Sequence, residues 1–366
     1  MPEPKLSVVQ IIDRLETGGA EKIVVLLSNL LHCNGHRVRV ITTVSNGPQL
    51  QFLHKDISTV CLRRKWKWNP RYMLRLKRAC RGFDVIHLHG EPTLRYSFLT
   101  KTLFGLKGGK IYHEHYPYVN QRPVKWYLKY MLRNTQIIAT SQMVADWAIH
   151  KVKLEENRIT KLMNTVERSE PKTNRACGSH SLVQVSNLLP HKNIAFSIDV
   201  LKALIRISGQ DFHLTFIGKK YDERHFNSLK KKTEDENLSQ NIDFIFDCDN
   251  VAPLLDHFSF GLHSSPKETG PVVLAEYFAS KLPFLAFRTG EVSDLLFRHF
   301  PEFFMTDLDA EQWAIRIIEL LKQQQKNPAE NQRMEEVFDR YFSSRQYYSS
   351  YNKLLLGFNQ PILTSN

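Results

Sequence analysis

The strongest candidates for chemistry are two glutamates, Glu268 and Glu276, in the second half of the chain. Glu268 lies in a predicted loop, and Pro271 fits the first turn of a following helix, where a missing N–H is tolerated. Glu276 then lies about a turn and a half into that helix. Carboxylates accept hydrogen bonds from the vicinal hydroxyls of sugars and riboses, and the helix N-terminus suits a diphosphate. Two solvated helix charges are the alternative, although the apolar run between them indicates a buried helix.

Two other segments offer groups for an anionic ligand. Lys192 follows the first predicted strand of the second half, where its ammonium could neutralise a phosphate. A surface lysine in a loop is the alternative there. Gly18 and Gly19 separate the first strand from the first helix, whose N-terminus favours anions. They do not form a G-x-G-x-x-G motif, so a plain tight turn is the alternative for this pair.

Four histidines follow or end two predicted strands of the first half, at positions His87, His89, His113 and His115. Residues two apart on a strand project to the same side, so each pair is expected to point toward one sheet edge. Their spacing matches no familiar set of metal ligands, and we predict no metal. Ordinary hydrogen bonding of strand-end histidines is the alternative, chiefly for His87.

Positive charge dominates the composition. Lysine and arginine number 50 against 37 aspartates and glutamates, which gives a net charge of +13 and implies an anionic partner. Cations alternate with aromatic residues at 63–68 and 125–130. This mixture suits an anionic membrane interface, with solvated helix faces as the alternative. Because no RNP strand, zinc finger or helix-turn-helix signature is present, we predict no nucleic-acid partner.

Alternating apolar strands and helices predict an α/β fold with parallel sheets covered on both faces. With 366 residues, two domains are expected. The polar segment 167–180 suits a linker, so we predict domains at 1–170 and 171–340. A strand at 285–287 is predicted as the last, and a helix within 335–356 is predicted to return to the first domain as part of segment 341–366.

Five scattered cysteines without C-x-x-C spacing indicate reduced thiols in a cytoplasmic protein. No export signal is apparent, and no stretch approaches the ~20 apolar residues of a membrane span. Any membrane contact is therefore expected to be peripheral.

These residues together resemble the retaining, two-domain glycosyltransferases of the GT-B fold, family-4 type, common in bacterial polysaccharide assembly. The resemblance runs from near Val8 to near Tyr351 and includes the E-x7-E motif of Glu268 and Glu276. Its other motifs are Gly18-Gly19-Ala20-Glu21, Gly35-His36, Asp84-Val85-Ile86-His87, His89-Gly90, Glu114-His115, Ala139-Thr140-Ser141, Asn164-Thr165-Val166-Glu167 and Pro190-His191-Lys192-Asn193.

The resemblance implies a role for each donor-side residue. Two Rossmann-like domains face a central cleft, and the second binds a nucleotide sugar, with UDP or GDP as the nucleotide. Glu276 would bind the ribose hydroxyls, Glu268 the transferred sugar, and Lys192 the diphosphate. Backbone amides of the helix start would assist Lys192, and the residues concerned are Thr269, Gly270, Pro271 and Val272.

The resemblance also implies roles in the first domain. His115 would approach the donor sugar near its anomeric centre, and Gly18 and Gly19 would border the diphosphate and the acceptor entrance. The expected reaction is metal-independent transfer with retention to a glycan or lipid-linked acceptor, in cell-surface polysaccharide biosynthesis. The enzyme would work in the cytoplasm, at the inner face of the cell membrane.

Some positions depart from the family pattern. Asn187 occupies the place of an arginine that usually accompanies the lysine, and Lys219 and Lys220 replace an acidic turn. Two other functions therefore stay open: a non-catalytic subunit that binds a sugar nucleotide, and a GT-B-shaped sugar-nucleotide epimerase.

Overall fold

The computed structural model describes residues 4–66, 69–115, 119, 123–168, 180–246, 248–268, 270–324 and 328–358. The chain divides into two compact units. Unit 1 comprises Met1–Thr165 with Ser344–Asn366, and unit 2 comprises Val166–Ser343.

Unit 1 contains a parallel sheet in the order β3-β2-β1-β4-β5-β6-β7. Its strands are β1 (Ser7–Arg14), β2 (Arg37–Ser45), β3 (Ser58–Cys61), β4 (Val85–His89), β5 (Gly109–Glu114), β6 (Gln136–Ala139) and β7 (Ile159–Lys161). Its α-helices are α1 (Gly19–Cys33), α2 (Pro70–Ala79), α3 (Glu91–Phe104), α4 (Trp126–Leu132), α5 (Gln142–Asp146) and α13 (Ser344–Leu356). The strand order reverses direction at β1, and α/β sheets bind ligands beyond the carboxyl ends of strands at such a point.

Helices cover both faces of this sheet, and successive side chains of β1 point to opposite faces. Val9 and Ile11 belong to one buried cluster, together with Met73 and Leu76 of α2. Val8 belongs to the other cluster, which contains the buried side of α1 and Tyr347, Tyr351 and Leu355 of α13. The last helix of the chain is thus part of the core of unit 1.

Unit 2 contains a second parallel sheet in the order β10-β9-β8-β11-β12-β13. Its strands are β8 (Ser181–Val185), β9 (His213–Ile217), β10 (Ile242–Ile245), β11 (Phe260–His263), β12 (Phe284–Phe287) and β13 (Phe304–Met305). Its α-helices are α6 (Ile194–Ser208), α7 (Glu223–Asp235), α8 (Ala252–Leu255), α9 (Val272–Ala279), α10 (Gly290–Phe297), α11 (Ala310–Gln324) and α12 (Pro328–Tyr341).

Tyr277 of α9 joins two central strands of this sheet. Its hydroxyl accepts from the backbone N–H of Val185 at 3.1 Å and donates to the carbonyl of Leu262 at 3.2 Å. A Cβ at Gly261 would lie 2.8 Å from the Tyr277 ring, so only glycine leaves room for the ring there. This contact fixes α9, which carries Glu276, against β8 and β11.

The predicted alternation of strands and helices is confirmed, with corrections at the C-terminal side. The strand at 284–287 is not the last, because the two-residue β13 follows it. The helix predicted within 335–356 is two helices, since α12 ends at Tyr341 and α13 begins at Ser344. Ser343 lies between them, and serine favours helix starts over helix interiors. Most of the predicted linker, residues 169–179, lies outside the described residues.

Candidate functional site

Lys192 lies at the carboxyl edge of the sheet of unit 2, held there by its own backbone. It ends a short 3₁₀ turn after β8, and Asn193 behind it adopts a left-handed conformation before α6 begins. The Lys192 carbonyl accepts hydrogen bonds from Gln184 Nε2 at 3.3 Å and Ser264 Oγ at 3.1 Å. Because Gln184 belongs to β8 and Ser264 follows β11, the lysine is anchored to two neighbouring strand ends.

Glu268 forms an ion pair with Lys192, so the structure brings these two predicted site residues together. Both side chains are largely buried, with 19% exposure for Lys192 and 12% for Glu268. The loop carrying Glu268 is held by Thr289, whose hydroxyl accepts from the Glu268 N–H at 3.1 Å. The fully buried ring of His263, at the end of β11, has its Nε2 3.9 Å from the carboxylate.

Burial and charge act against each other at this pair. Burial opposes ionisation of Glu268, but His263, Lys192 and hydrogen bonds outweigh it, so the pKa of the carboxyl is lowered. Burial lowers the pKa of His263 to about 4, with Glu268 opposing the shift. Near neutral pH the site therefore contains an ionised carboxylate beside a neutral imidazole.

Glu276 lies on α9 and is 9% exposed. The helix begins at Val272, so Pro271 precedes the first turn rather than occupying it as predicted. Of the four residues predicted to assist with backbone amides, Pro271 carries no N–H, and Gly270 and Val272 are described. Thr269 lies outside the described residues.

Asn187 stabilises the turn that follows β9. Its side-chain oxygen accepts a hydrogen bond from the Lys219 N–H at 3.1 Å. The neighbouring Gly218 permits this close approach, because a Cβ there would lie 2.0 Å from the carbonyl oxygen of Ser186. The oxygen of Asn187 thus fixes the turn after β9, and it does not replace the charge of the arginine expected at this position.

The sequence analysis missed His263, Ser264 and Thr289. A histidine near the end of a strand is the pattern that marked the histidines of unit 1 as candidates, and His263 has the same pattern at the end of β11. Ser264 Oγ accepts from Gln184 Nε2 at 3.1 Å and from Ser197 Oγ at 2.9 Å. No sequence pattern indicates this buried network, since it joins residues 13 to 80 positions apart.

In unit 1, Gly18 immediately precedes α1, which begins at Gly19. Its φ of −165° is extended backbone that any residue adopts. A Cβ at Gly18 would lie 2.4 Å from the Glu21 carboxylate, which occupies the space beside this helix start. The glycine therefore makes room for a side chain of the same helix.

The four strand-end histidines form one cluster on a face of the sheet of unit 1. Neighbouring ring centroids lie 4.0 to 5.4 Å apart, and His87, His89 and His113 are buried. His87 Nδ1 bonds to the Tyr351 hydroxyl at 2.9 Å. These three side chains lie inside the unit and not at the sheet edge toward which both pairs were expected to point.

Hydrogen bonding fixes the tautomers along this cluster. Gln10 Oε1 lies 2.7 Å from His89 Nε2, so that nitrogen donates, and neutral His89 must then accept at Nδ1. His115 Nε2 lies 3.0 Å from His89 Nδ1 and is the donor. His115 Nδ1 is left with an unused lone pair, and it has no hydrogen-bond partner among the described residues. Gln10 is thus a positioning residue that the sequence analysis missed.

One nitrogen from each of His87, His89 and His113 lies within 4.8 Å of the others, which is close enough to consider a metal ion. However, the His87 ring is stacked on both His89 and His113, with interplanar angles of 28° and 13°. A metal lies in the plane of each ligating ring, and stacked rings direct their lone pairs side by side. The geometry therefore favours the metal-free interpretation.

His115 lines a cavity of about 460 Å³ at the carboxyl ends of β4 and β5. Its lining is mostly apolar, with Val124, Leu128 and Trp147 among the contributing residues. Glu91 and Glu114 add two carboxylates. Burial lowers the pKa of His115 to about 3, so the ring facing this cavity is neutral.

The predicted basic-aromatic segments carry exposed aromatic rings. Trp66 is 73% exposed, Trp126 84% and Tyr130 61%, whereas Lys67 and Trp68 lie outside the described residues. Within the described part of the chain, none of the helices has the length and apolar character needed to cross a bilayer.

Two family models match the chain. The one described as Glycosyltransferase Family 4 matches residues 17–170, and the one described as Glycosyl transferases group 1 matches residues 166–336. A comparison with curated proteins gave no match.

Solved structures of similar fold cover nearly the whole chain. A glycosyltransferase from Rickettsia africae has 15% identity and a TM-score of 0.75, covering 98% of this chain and 100% of its own. Anabaena HepE in complex with UDP and glucose has 14% identity and a TM-score of 0.76, covering 96% and 100%. Sucrose-phosphate synthase from Thermosynechococcus elongatus has 16% identity and a TM-score of 0.73, covering 97% and 99%. These likenesses confirm the predicted fold class of two Rossmann-like units with parallel sheets.

Proposed function

Because the chain belongs to the group 1 glycosyltransferases of the GT-B fold, we propose that it transfers a sugar with retention from a UDP- or GDP-sugar to a glycan or lipid-linked acceptor. The observation that carries this proposal is the Lys192–Glu268 ion pair at the carboxyl ends of β8 and β11. Ligands of α/β sheets bind at such strand ends. HepE, of similar fold, binds UDP and glucose.

On the donor side, the proposal gives each charged group a separate target. Glu276 accepts hydrogen bonds from the ribose hydroxyls, and Glu268 from hydroxyls of the transferred sugar. Lys192 donates to the diphosphate and stabilises the charge that develops as it leaves. Without a donor, Lys192 and Glu268 neutralise each other. Both ions are then kept charged in a largely buried position, ready to exchange partners.

On the acceptor side, the 460 Å³ cavity of unit 1 suits a ligand with both hydroxyl and apolar parts. His115 Nδ1 is buried without a hydrogen-bond partner among the described residues, and a sugar hydroxyl in the cavity would supply that partner. No catalytic metal is required, since cationic and amide groups bind the diphosphate. We place the reaction in cell-surface polysaccharide biosynthesis at the cytoplasmic face of the membrane. The exposed rings of Trp66 and Trp126 beside basic residues support peripheral contact there.

Donor binding tests the proposed site directly. UDP- and GDP-sugars should raise the melting temperature, because a ligand bound only by the folded protein stabilises it. Glu276→Gln should weaken binding by about 1–3 kcal/mol, roughly 5- to 150-fold, since the buried hydrogen bonds to ribose are impaired. Titration calorimetry measures this change, and Glu234→Gln, on the exposed side of α7, is the matched control.

Unaltered affinity in a folded Glu276→Gln protein would contradict the ribose role. Mass spectrometry of the products then separates the three possible functions. Transfer gives free nucleotide and a larger acceptor, an epimerase changes only the sugar of the intact donor, and a binding subunit yields no product.

His115→Ala is expected to lower kcat by about 10²-fold, while the donor Kd changes less than about twofold. The reason is that His115 is proposed to contact the transferred sugar near its anomeric centre, whereas the nucleotide binds in unit 2. His113→Leu should keep near-normal turnover, because His113 is completely buried and does not line the cavity. Steady-state kinetics with a separate binding titration measures both effects. If only His113→Leu loses turnover, His113 rather than His115 contacts the sugar. If both variants turn over normally, both histidines are structural.

A further inference from the structure

Two adjoining cavities lie at the amino ends of the strands of unit 1. They measure about 740 and 290 Å³, and Tyr130, Arg133, Asn134 and Thr135 line both. We refer to them together as the basic cavity. Gln136, the first residue of β6, also contributes, as does Arg158, directly before β7.

The basic cavity is separate from the cavity that contains His115. Lys110 lies near the amino end of β5 and lines the basic cavity, whereas Glu114 ends the same strand and lines the His115 cavity. Four residues of strand separate their Cα atoms by about 13 Å. A ligand in the basic cavity therefore does not occupy the site of the proposed reaction.

Positive charge is concentrated in this cavity without matching negative charge. The smaller part is lined by Lys101, Lys110 and Arg133 and by no acidic residue. The larger part adds Lys129, Lys153 and Arg158 and a single carboxylate, that of Glu155. None of these six lysine and arginine side chains forms an ion pair with a carboxylate of the described residues. Arg158 instead donates to the backbone carbonyls of Leu132 and Thr135.

Lys101 and Lys110 also face each other. Lys101 comes from α3 and Lys110 from β5, and their side chains are within hydrogen-bonding reach. Burial, and then the charge of Lys101, lower the pKa of Lys110 to about 8. Two like charges in a partly buried place repel each other, and an anion between them would turn this repulsion into attraction.

Aromatic rings border the same cations. Trp126 and Tyr130 of α4 line the larger part and are 84% and 61% exposed, and Phe358 also lines it. Exposed aromatic rings beside cations suit a ligand that joins an anionic group to an apolar or planar part.

We propose that the basic cavity is a second ligand site, which binds a phosphate group at Lys101, Lys110 and Arg133. The guanidinium of Arg133 presents paired donors to phosphate oxygens, and the two lysines supply point charges. The phosphate belongs either to a lipid head group or to a soluble molecule, and both present the same oxygens. The site is independent of transfer activity.

The test compares two double variants with equal loss of charge. Lys110→Met with Arg133→Gln removes cations from the basic cavity. Lys77→Ala with Arg78→Ala removes exposed cations from α2, outside it. The probes are inorganic pyrophosphate, followed by thermal shift, and vesicles of phosphatidylglycerol with phosphatidylcholine, followed by sedimentation. We expect the cavity variant to lose affinity about tenfold or more for at least one probe, and the α2 variant less than about twofold.

The two probes distinguish the sources of phosphate. A response to vesicles alone identifies a lipid head group, and a response to pyrophosphate alone identifies a soluble ligand. Equal losses in both variants, or no binding of either probe, would overturn the proposal. Circular dichroism shows whether the cavity variant folds. If it does not, Lys101→Gln, on the exposed surface of α3, replaces it in the same binding measurements. UDP-sugar affinity is measured in parallel and should not change, so failure of the donor site is recognised separately.

Discussion

Lys192→Met is expected to lower kcat/KM by about 10²- to 10³-fold, the loss typical for removing one preorganised group that stabilises developing charge. The backbone of Lys192 is fixed by Gln184 and Ser264 through its carbonyl, so the substitution removes the ammonium and leaves the turn in place. Donor affinity should fall less than turnover, because the charge on the diphosphate grows as the sugar departs. Initial rates at varied donor concentration, with a direct binding titration, measure the two effects.

Lys267→Met is the matched control, since this exposed lysine is adjacent to Glu268 in sequence and does not pair with it. It should retain nearly full activity. Glu268→Gln tests the other member of the ion pair, because it keeps the shape of the side chain and removes the negative charge that pairs with Lys192. If Lys192→Met and Lys267→Met have the same activity, the ion pair is structural and the diphosphate is bound elsewhere.

Local patterns in the sequence predict most of this fold because the central strands are apolar and end abruptly. The apolar patterns at 194–208 and 213–217 predict a helix and a strand with the bounds that the structure gives α6 and β9. Serine favours helix starts, and Ser141 caps α5, with its Oγ accepting from the Val144 N–H. Two strands that were missed, β3 and β13, lack such patterns. Strand β3 is largely exposed at the sheet edge, and β13 has only two residues. Helix α2 had a readable signal, since Asn69 caps it and Pro70 occupies its first position.

The candidate site is less predictable from the sequence because its interactions join distant segments. Glu268 and Lys192 could be selected by residue type, but their ion pair spans 76 positions. The contact between His87 and Tyr351 spans 264 positions and depends on the return of α13 to unit 1. The tautomer of His115 depends on Gln10, an interior residue of β1 with no marked local pattern. Sequence reasoning thus identifies chemically capable residues, while packing decides which of them are neutral, paired or available.

Stability of unit 1 is expected to fall steeply as the pH decreases below about 6.5, because its four clustered histidines are neutral in the folded state. Burial, with charge repulsion within the cluster, holds the pKa values of His87, His89 and His113 well below the ordinary value. The pKa of His115 is lowered to about 3. In the unfolded chain these rings take up protons near pH 6.5, so the unfolded state binds more protons at acidic pH.

Each such histidine lowers the free energy of unfolding by about 1.4 kcal/mol per pH unit, from about pH 6.5 down to its folded pKa. Four together approach the whole stability of a typical domain within two to three pH units. Among the described residues of unit 2, His263 is the fully buried histidine with a lowered pKa, of about 4, so this unit should resist acid longer. Hydrogen-exchange mass spectrometry of the intact protein at pH 7, 6 and 5 distinguishes the two units by their peptides.

His113→Leu provides the decisive comparison. Neither ring nitrogen of His113 has a hydrogen-bond partner among the described residues, so an apolar side chain of similar size removes a titrating group without breaking a bond. This variant should be more stable at pH 5 than the unmodified protein, and its slope of stability against pH should be smaller by about 1.4 kcal/mol per unit. His150→Leu, at an exposed position of unit 1, should leave the slope unchanged. Denaturant titrations across this pH range give both slopes, and equal slopes for the two variants would show that the cluster is already protonated in the folded protein.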